Sequence, residues 1–305
     1  MNISVVIPLY NKSYSIERAL DSVLNQSHLP YEVIVIDDGS TDNSAEKVED
    51  FIRVSETTII RLYRIKNSGV SLARNYGVDK AKSDYIAFLD ADDQWLENHL
   101  LDKIGLIKNN PNAALFSSRH TVISETEGET FEAKNPFSKD YYGLVDDFFL
   151  RSTVSSIANS SKVLINKKCF LSVGGFPVGV VVAEDLFLWI ALSLKYDVMY
   201  SSNNTVNIFI ETDFSRTHRK KTIPYPIVYY RNKDIPKNLS LYLRSIFLKH
   251  FVLYVSSGEY KTALNIYISS MPYFKKIDFF YFCILAVPPR MLNFIKNFIK
   301  ERTMR

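Results

Sequence analysis

Cysteine is scarce in this 305-residue chain, where only Cys169 and Cys283 carry a thiol. The two lie far apart with no metal-ligand spacing, which argues against a disulfide scaffold or a zinc ribbon and for a reduced, cytosolic setting. The opening residues Met1-Asn2-Ile3-Ser4 have no basic stretch followed by a long apolar one, so no secretion signal is expected. The apolar run at 279–287 stops at Pro288-Pro289 and is well short of the ~20 residues a helix needs to span a bilayer. No internal repeat and no low-complexity segment occurs. What remains, 47% hydrophobic and 23% charged, is ordinary for a globular protein of one large domain with an appendage, or of two domains.

The net charge of +4 conceals a division. Residues 1–214 hold 20 Lys and Arg against 29 Asp and Glu, whereas residues 215–305 hold 17 against 4. An acidic body with a basic, aromatic tail points to an anionic surface as the tail's partner, either nucleic acid or anionic lipid.

Strand and helix patterns alternate through the first 120 residues. Ser4-Val5-Val6-Ile7 and Tyr31-Glu32-Val33-Ile34-Val35-Ile36 read as buried parallel strands. A third strand is predicted at Thr57-Thr58-Ile59-Ile60 and a fourth at Tyr85-Ile86-Ala87-Phe88-Leu89. Between them Ile16, Ala19, Leu20, Val23 and Leu24 recur at helical spacing, and helices are predicted over 42–51 and 70–81. Residues 125–139 read as an irregular polar loop, and the chain turns basic, aromatic and helical after Asp213. Repeated β-α-β units argue for a doubly wound α/β sheet, whose ligands bind beyond the carboxyl ends of its strands.

Carboxylates stand at those ends. Asp37-Asp38 follows the second strand, Asp90-Ala91-Asp92-Asp93 follows the fourth, and Glu184-Asp185 precedes a helix-like stretch at 186–194. An Asp at a strand end commonly caps a turn. Grouped at one edge of a sheet, such residues can also hold a hard divalent cation whose shell phosphate oxygens and water complete.

In order and spacing, Val5-Val6-Ile7-Pro8-Leu9-Tyr10-Asn11, Ile36-Asp37-Asp38-Gly39-Ser40-Thr41-Asp42, Gly69-Val70-Ser71-Leu72-Ala73-Arg74-Asn75 and Phe88-Leu89-Asp90-Ala91-Asp92-Asp93 resemble the family 2 glycosyltransferases with the GT-A fold. Gly174-Gly175-Phe176, followed by Ala183-Glu184-Asp185-Leu186-Phe187-Leu188-Trp189, resembles that family's acceptor-side motif. The resemblance covers roughly residues 1–200. It implies a GT-A-like, doubly wound, mostly parallel sheet: a catalytic domain over 1–214, with a nucleotide-binding part at 1–120 and an acceptor-side part at 121–214, then a basic helical extension over 215–305.

The resemblance also implies roles. Pro8, Tyr10 and Asp38 would surround the base and ribose of a nucleotide-sugar, with Asp38 accepting from the uracil ring if the donor is a UDP-sugar. Asp92 would ligate Mn²⁺ or Mg²⁺, and Asp90 would contact ribose, the metal or its water. The cation would neutralise the departing diphosphate. Asp185 would act as general base on the acceptor hydroxyl, so that one displacement inverts the anomeric centre; no second carboxyl is needed as acid, unlike in glycoside hydrolysis. Arg74 would contact the diphosphate or pin an Asp of the metal site. His218, between Arg216 and Arg219, could touch diphosphate or metal, or simply be solvated. Glu184 and Trp189 would lie on the acceptor side; Trp189 and Trp95 could stack on a sugar or belong to the core.

Other classes fit less well. A sugar nucleotidyltransferase would carry a glycine-rich loop where this chain has Pro8-Leu9-Tyr10-Asn11-Lys12. A haloacid-dehalogenase-like phosphatase would need an Asp where Ile36 precedes Asp37-Asp38-Gly39. A non-catalytic sugar- or nucleotide-binding protein of the same fold would not need Asp38, Asp92 and Asp185 together. In the tail, Met291, Leu292, Ile295, Phe298 and Ile299 share one helical face and Asn293, Lys296, Asn297 and Lys300 the other. With no nucleic-acid motif present, 275–305 is expected to lie on an anionic membrane surface, which puts the protein at the inner face of the cell membrane with a saccharide or lipid-linked saccharide acceptor. A helix packed on the body or on a partner protein would show the same pattern.

Overall fold

The computed structural model describes residues 1–210 and 222–270. Four short apolar segments, β1 (Ile3–Leu9), β2 (Glu32–Asp37), β3 (Ile60–Arg64) and β4 (Tyr85–Phe88), pair in parallel in the order β3-β2-β1-β4. Alternate side chains of each strand enter different layers. Val5, Ile7, Val33 and Val35 pack with Ile16, Leu20 and Val23 of helix α1 (Ile16–Leu24) and Val48 of helix α2 (Ser44–Ser55). Val6, Ile34 and Ile36 pack with Ala73 and Val78 of helix α3 (Val70–Lys80). This period of two is what a sheet buried on both faces requires.

Helix α3 approaches β1 so closely that a Cβ on Gly77 would run into the Val6 side chain. Gly77→Ala is therefore expected to lower stability by about 1–3 kcal/mol through overpacking, to be read by thermal melting.

The sheet continues as β9 (Leu164–Asn166), antiparallel to both β4 and β6 (Leu115–Ser124), and then β10 (Val198–Phe209), parallel to β6. The two-residue β5 (Gln94–Trp95) closes that edge, antiparallel to β10. Helices α4 (His99–Asn109), α5 (Phe148–Val154), α6 (Lys167–Ser172) and α7 (Glu184–Ser193) connect this half.

Two sequence readings change. The third strand begins at Ile60, not Thr57, because α2 runs on to Ser55 and Glu56 ends it in the left-handed conformation (φ 51°). The segment expected to be an irregular loop at 125–139 contains β7 (Glu129–Glu132), which folds back antiparallel on β6 through a turn at Gly128 (φ 64°). A further short strand, β8 (Tyr142–Leu144), pairs with β10. The expected helical character after residue 214 is present in α8 (Tyr225–Tyr229), α9 (Lys237–Ser256) and α10 (Tyr260–Ser270). Their Ile227, Leu239, Leu243 and Phe247 share an apolar cluster with Phe88, Phe176 and Trp189. No helix among the described residues is long and apolar enough to cross a membrane.

Beneath β6 and β10 lies an unusual buried basic group. Lys162 is 1% exposed and donates to the Ser156 carbonyl, with His120 Nδ1 at 3.4 Å. Lys103 is fully buried against Asp102. Burial pushes the Lys162 ammonium down to about 7, with Lys103 adding repulsion. Between that value and the ordinary lysine range the unfolded chain binds a proton that the folded chain does not, so stability rises with pH there. We expect a gain on the order of 2 kcal/mol between pH 7 and 9, measured by denaturant titration and largely absent from Lys162→Met.

Candidate active site

The strand order reverses at β1, which has β2 on one side and β4 on the other. Loops leaving the carboxyl ends of these three strands meet there, where an open α/β sheet takes its ligand. The loop after β1 is tied to the start of α2. Asn11 N–H donates to Ser40 Oγ (3.0 Å), Lys12 N–H to Ser44 Oγ (2.8 Å) and Ser13 N–H to Asp42 (3.2 Å), while Asn11 adopts φ 51°. Tyr10 stands 43% exposed beside it.

Asp37 and Asp38 have different surroundings. Asp37 accepts from Ser40 N–H at 3.1 Å, a turn-capping role. Asp38 is held by its own N–H on the Leu9 carbonyl (2.8 Å). Its two carboxylate oxygens accept from Ser68 N–H (2.7 Å) and Gly69 N–H (2.8 Å), just ahead of α3. Burial raises its pKa, against the lowering effect of those two donors.

The acidic loop after β4 carries its carboxylates into three environments. Asp90 meets Arg74 Nη2 at 2.7 Å. Asp92 meets Lys12 Nζ at 2.9 Å, and its carbonyl accepts from Arg18 (2.8 Å). Asp93 is buried, accepts from Ser161 Oγ and from Phe209 N–H (3.1 Å), and so joins the loop to the end of β10. Burial first, then Asp92 and Asp90, raise its pKa well above the usual carboxylate range. Sequence reasoning gave Asp93 no role. Its partners Ser161 and Phe209 are remote in sequence, so nothing local could have marked it.

Helix α3 links this loop to the acceptor-side motif. Arg74, 5% exposed at its side chain, reaches Asp90 with one nitrogen and Glu184 with the other (3.5 Å), above the Phe176 ring. Burial would lower its pKa, yet Asp90, Glu184 and Asp185 together raise it. The next residue, Asn75, clamps the Gly174-Gly175-Phe176 turn at two points. Its Nδ2 donates to the Phe176 carbonyl (2.8 Å) and its Oδ1 accepts from Phe176 N–H (2.9 Å). Gly175 has φ 71°, and a Cβ there would sit 2.8 Å from Asn75 Oδ1, so glycine is required.

Glu184 and Asp185 open α7 directly after Ala183, a non-glycine residue at φ 62°. Such a conformation costs on the order of 1–2 kcal/mol and aims the first turn of the helix at Arg74. Burial raises the pKa of the half-buried Asp185; Arg74 opposes this and Asp90 adds to it. Asp185 is the chain neighbour of Glu184, which meets Arg74.

The structure removes Trp189 from the acceptor side. It is 1% exposed, packed edge-on against Phe176 (5.8 Å between ring centroids), and belongs to the core. Trp95 is likewise buried and donates to the Ser161 carbonyl. Arg74 pins Asp90, one of the two roles open to it from sequence. His218 lies outside the described residues.

Against known proteins, the family model described as Glycosyl transferase family 2 matches residues 4–160. The chain belongs to glycosyltransferase family 2. It is 31% identical over 193 residues to an uncharacterized glycosyltransferase of Rickettsia bellii, spanning 63% of this chain and 26% of that protein. It is 38% identical over 122 residues to the Escherichia coli UDP-Glc:alpha-D-GlcNAc-diphosphoundecaprenol beta-1,3-glucosyltransferase WfgD, spanning 40% of this chain and 47% of that protein. The crystal structure of S. aureus TarS 1-349 in complex with UDP-GlcNAc superimposes with a TM-score of 0.68 at 20% identity, covering 87% of this chain and 79% of the other. The chain thus spans less than half the length of these curated relatives, and the TarS likeness confirms the GT-A fold expected from the motifs. In this family 2 chain the match takes in β1 to β4 and the acidic loop, whereas Arg74's second partner, Glu184, lies beyond it.

Among the described residues no group of three or more His, Cys, Asp or Glu side chains is gathered around a common point as a metal site. Asp90 and Asp92 supply hard oxygen donors that suit Mg²⁺ or Mn²⁺ only if a ligand adds more oxygens. Diphosphate oxygens are such donors, so the residues fit a cation that arrives with its nucleotide.

Proposed function

We propose that this protein is an inverting, metal-dependent glycosyltransferase that moves a hexosyl or N-acetylhexosaminyl group from a UDP-sugar to an acceptor hydroxyl in cell-surface polysaccharide or glycolipid synthesis. The observation that carries the reading is Arg74, whose guanidinium joins Asp90 of the acidic loop to Glu184 at the start of α7. One guanidinium thereby connects a donor-side acid to the residue next to the candidate base, Asp185, which supports the reading. A UDP-sugar is favoured because WfgD is named for a UDP-Glc donor.

In this reading Pro8, exposed Tyr10 and Asp38 receive the base and ribose. The Ser68 and Gly69 N–H groups fix the Asp38 carboxylate just beyond the end of β2. Asp92, with Asp90 beside it, would hold Mn²⁺ or Mg²⁺, which supplies Lewis-acid neutralisation of the diphosphate. Asp185 takes the acceptor proton as the oxygen attacks the anomeric carbon from the face opposite the nucleotide. Its raised pKa brings it closer to the working range of a general base. Glu184 fixes Arg74 and, through it, the orientation of Asp90. Incubating the protein with a panel of nucleotide-sugars and Mn²⁺ should release nucleoside diphosphate without pyrophosphate. Release of pyrophosphate, or no turnover of any donor, would reject the reading.

The membrane assignment for 275–305 rests on its basic charge and helical apolar face. These residues lie outside those the structure describes. Truncation of 279–305 should abolish co-sedimentation with anionic vesicles; unchanged sedimentation would remove the assignment.

A further inference from the structure

Each carboxylate of the Asp90–Asp92 pair is already neutralised by a basic side chain, and the two cations are held differently. Arg74 is fixed from several sides and almost inaccessible. Lys12 reaches Asp92 at the end of a flexible stem, with both side chains 13% exposed. Its backbone is rigid, because the 10–13 loop is tied to Ser40, Asp42 and Ser44. Its ammonium donates at the same time to Tyr14 Oη at 2.7 Å, a hydroxyl two residues along the same loop.

We propose that Lys12 is an internal, displaceable counter-ion that occupies Asp92 until the donor arrives and so makes divalent-cation binding conditional on the diphosphate. The inference rests on the metal-dependent reading above. A cation coming alone would have to displace the ammonium and would gain only the two Asp carboxylates. A nucleoside diphosphate changes the balance. It brings further hard oxygens for the cation and a new anionic partner for the displaced ammonium, which needs only to swing about its stem. Cation and nucleotide then bind as a cooperative pair whose coupling is reciprocal.

The test measures Mn²⁺ binding by electron paramagnetic resonance, with and without UDP, for the wild type, Lys12→Met and Lys12→Arg, with thermal melts confirming that each folds. We expect Lys12→Met to bind Mn²⁺ without nucleotide about tenfold more tightly than the wild type, and UDP in the presence of Mn²⁺ about tenfold more weakly, the scale of one charge-assisted contact. Lys12→Arg keeps the charge and should keep the weak nucleotide-free Mn²⁺ binding. If the wild type binds Mn²⁺ with UDP but Lys12→Met leaves nucleotide-free Mn²⁺ affinity unchanged or lower, the counter-ion role is wrong and the transferase reading stands. If the wild type binds no Mn²⁺ even with UDP, the metal-dependent reading fails and this inference with it.

Discussion

Replacing Asp185 by Asn should cut sugar transfer by about 10³-fold, within the range that general-base catalysis supplies, while UDP affinity changes by less than about threefold. The amide keeps the shape of the side chain and can still accept from the Leu186 N–H that now meets the carboxylate at 2.7 Å. What it loses is the ability to take a proton. Asp185 opens α7 on the acceptor-side motif and is not among the residues assigned to the nucleotide, Pro8, Tyr10 and Asp38, so nucleotide binding has little reason to respond. Single-turnover transfer with calorimetry on UDP separates the two effects. Transfer within tenfold of the wild type would remove Asp185 from the role of base.

Arg74→Met should be damaging for a different reason. The guanidinium is 5% exposed and neutralises Asp90 and Glu184, whose side chains are 34% and 15% exposed. Removing it leaves acids facing one another in a partly buried cleft. Breaking a fully buried pair costs about 3–5 kcal/mol, and solvent at Asp90 brings the expectation to about 3 kcal/mol. For a chain of this size that corresponds to a melting temperature lower by roughly 5 °C. A second effect follows from charge. Arg74 lowers the Asp185 pKa, so without it the carboxyl rises further and the acidic limb of the transfer profile moves to higher pH. Arg74→Lys, with one ammonium in place of a two-pronged group, should recover only part of the stability. A melting temperature within 2 °C of the wild type would overturn the neutralisation argument.

The sequence was most legible where chemistry and periodicity are local. The buried runs of β1, β2 and β4 and the acids that follow them stand where alternation and turn residues place them. Asp38 and Asp90 sit at strand ends on either side of β1 because parallel pairing lines up the carboxyl ends of β2, β1 and β4. The third strand slipped by three residues because its start depends on where α2 runs out, which no residue of the strand encodes. Trp189 was ambiguous because an aromatic residue at helical spacing suits core and sugar contact equally; packing against Phe176 decided for the core. Arg74 had two roles open on paper, the diphosphate or an Asp of the metal site; in the fold it pins Asp90 and also meets Glu184, 110 residues away, a partner that no local pattern marks. Asp93 and Lys162 stayed silent for the same reason, since burial is a property of what surrounds a side chain.

The clamp from Asn75 and the bridge from Arg74 begin at adjacent positions on one helix, and that adjacency sets a tolerance. Each residue advances an α-helix by about 100° and 1.5 Å. A single-residue insertion between Gly69 and Arg74 would therefore swing both side chains away from their partners at once, leaving the Phe176 amide and the Glu184 carboxylate without them. Chain-length variation upstream of this point has to be absorbed before Gly69, in the 65–68 connection, if the two halves of the cleft are to stay in register.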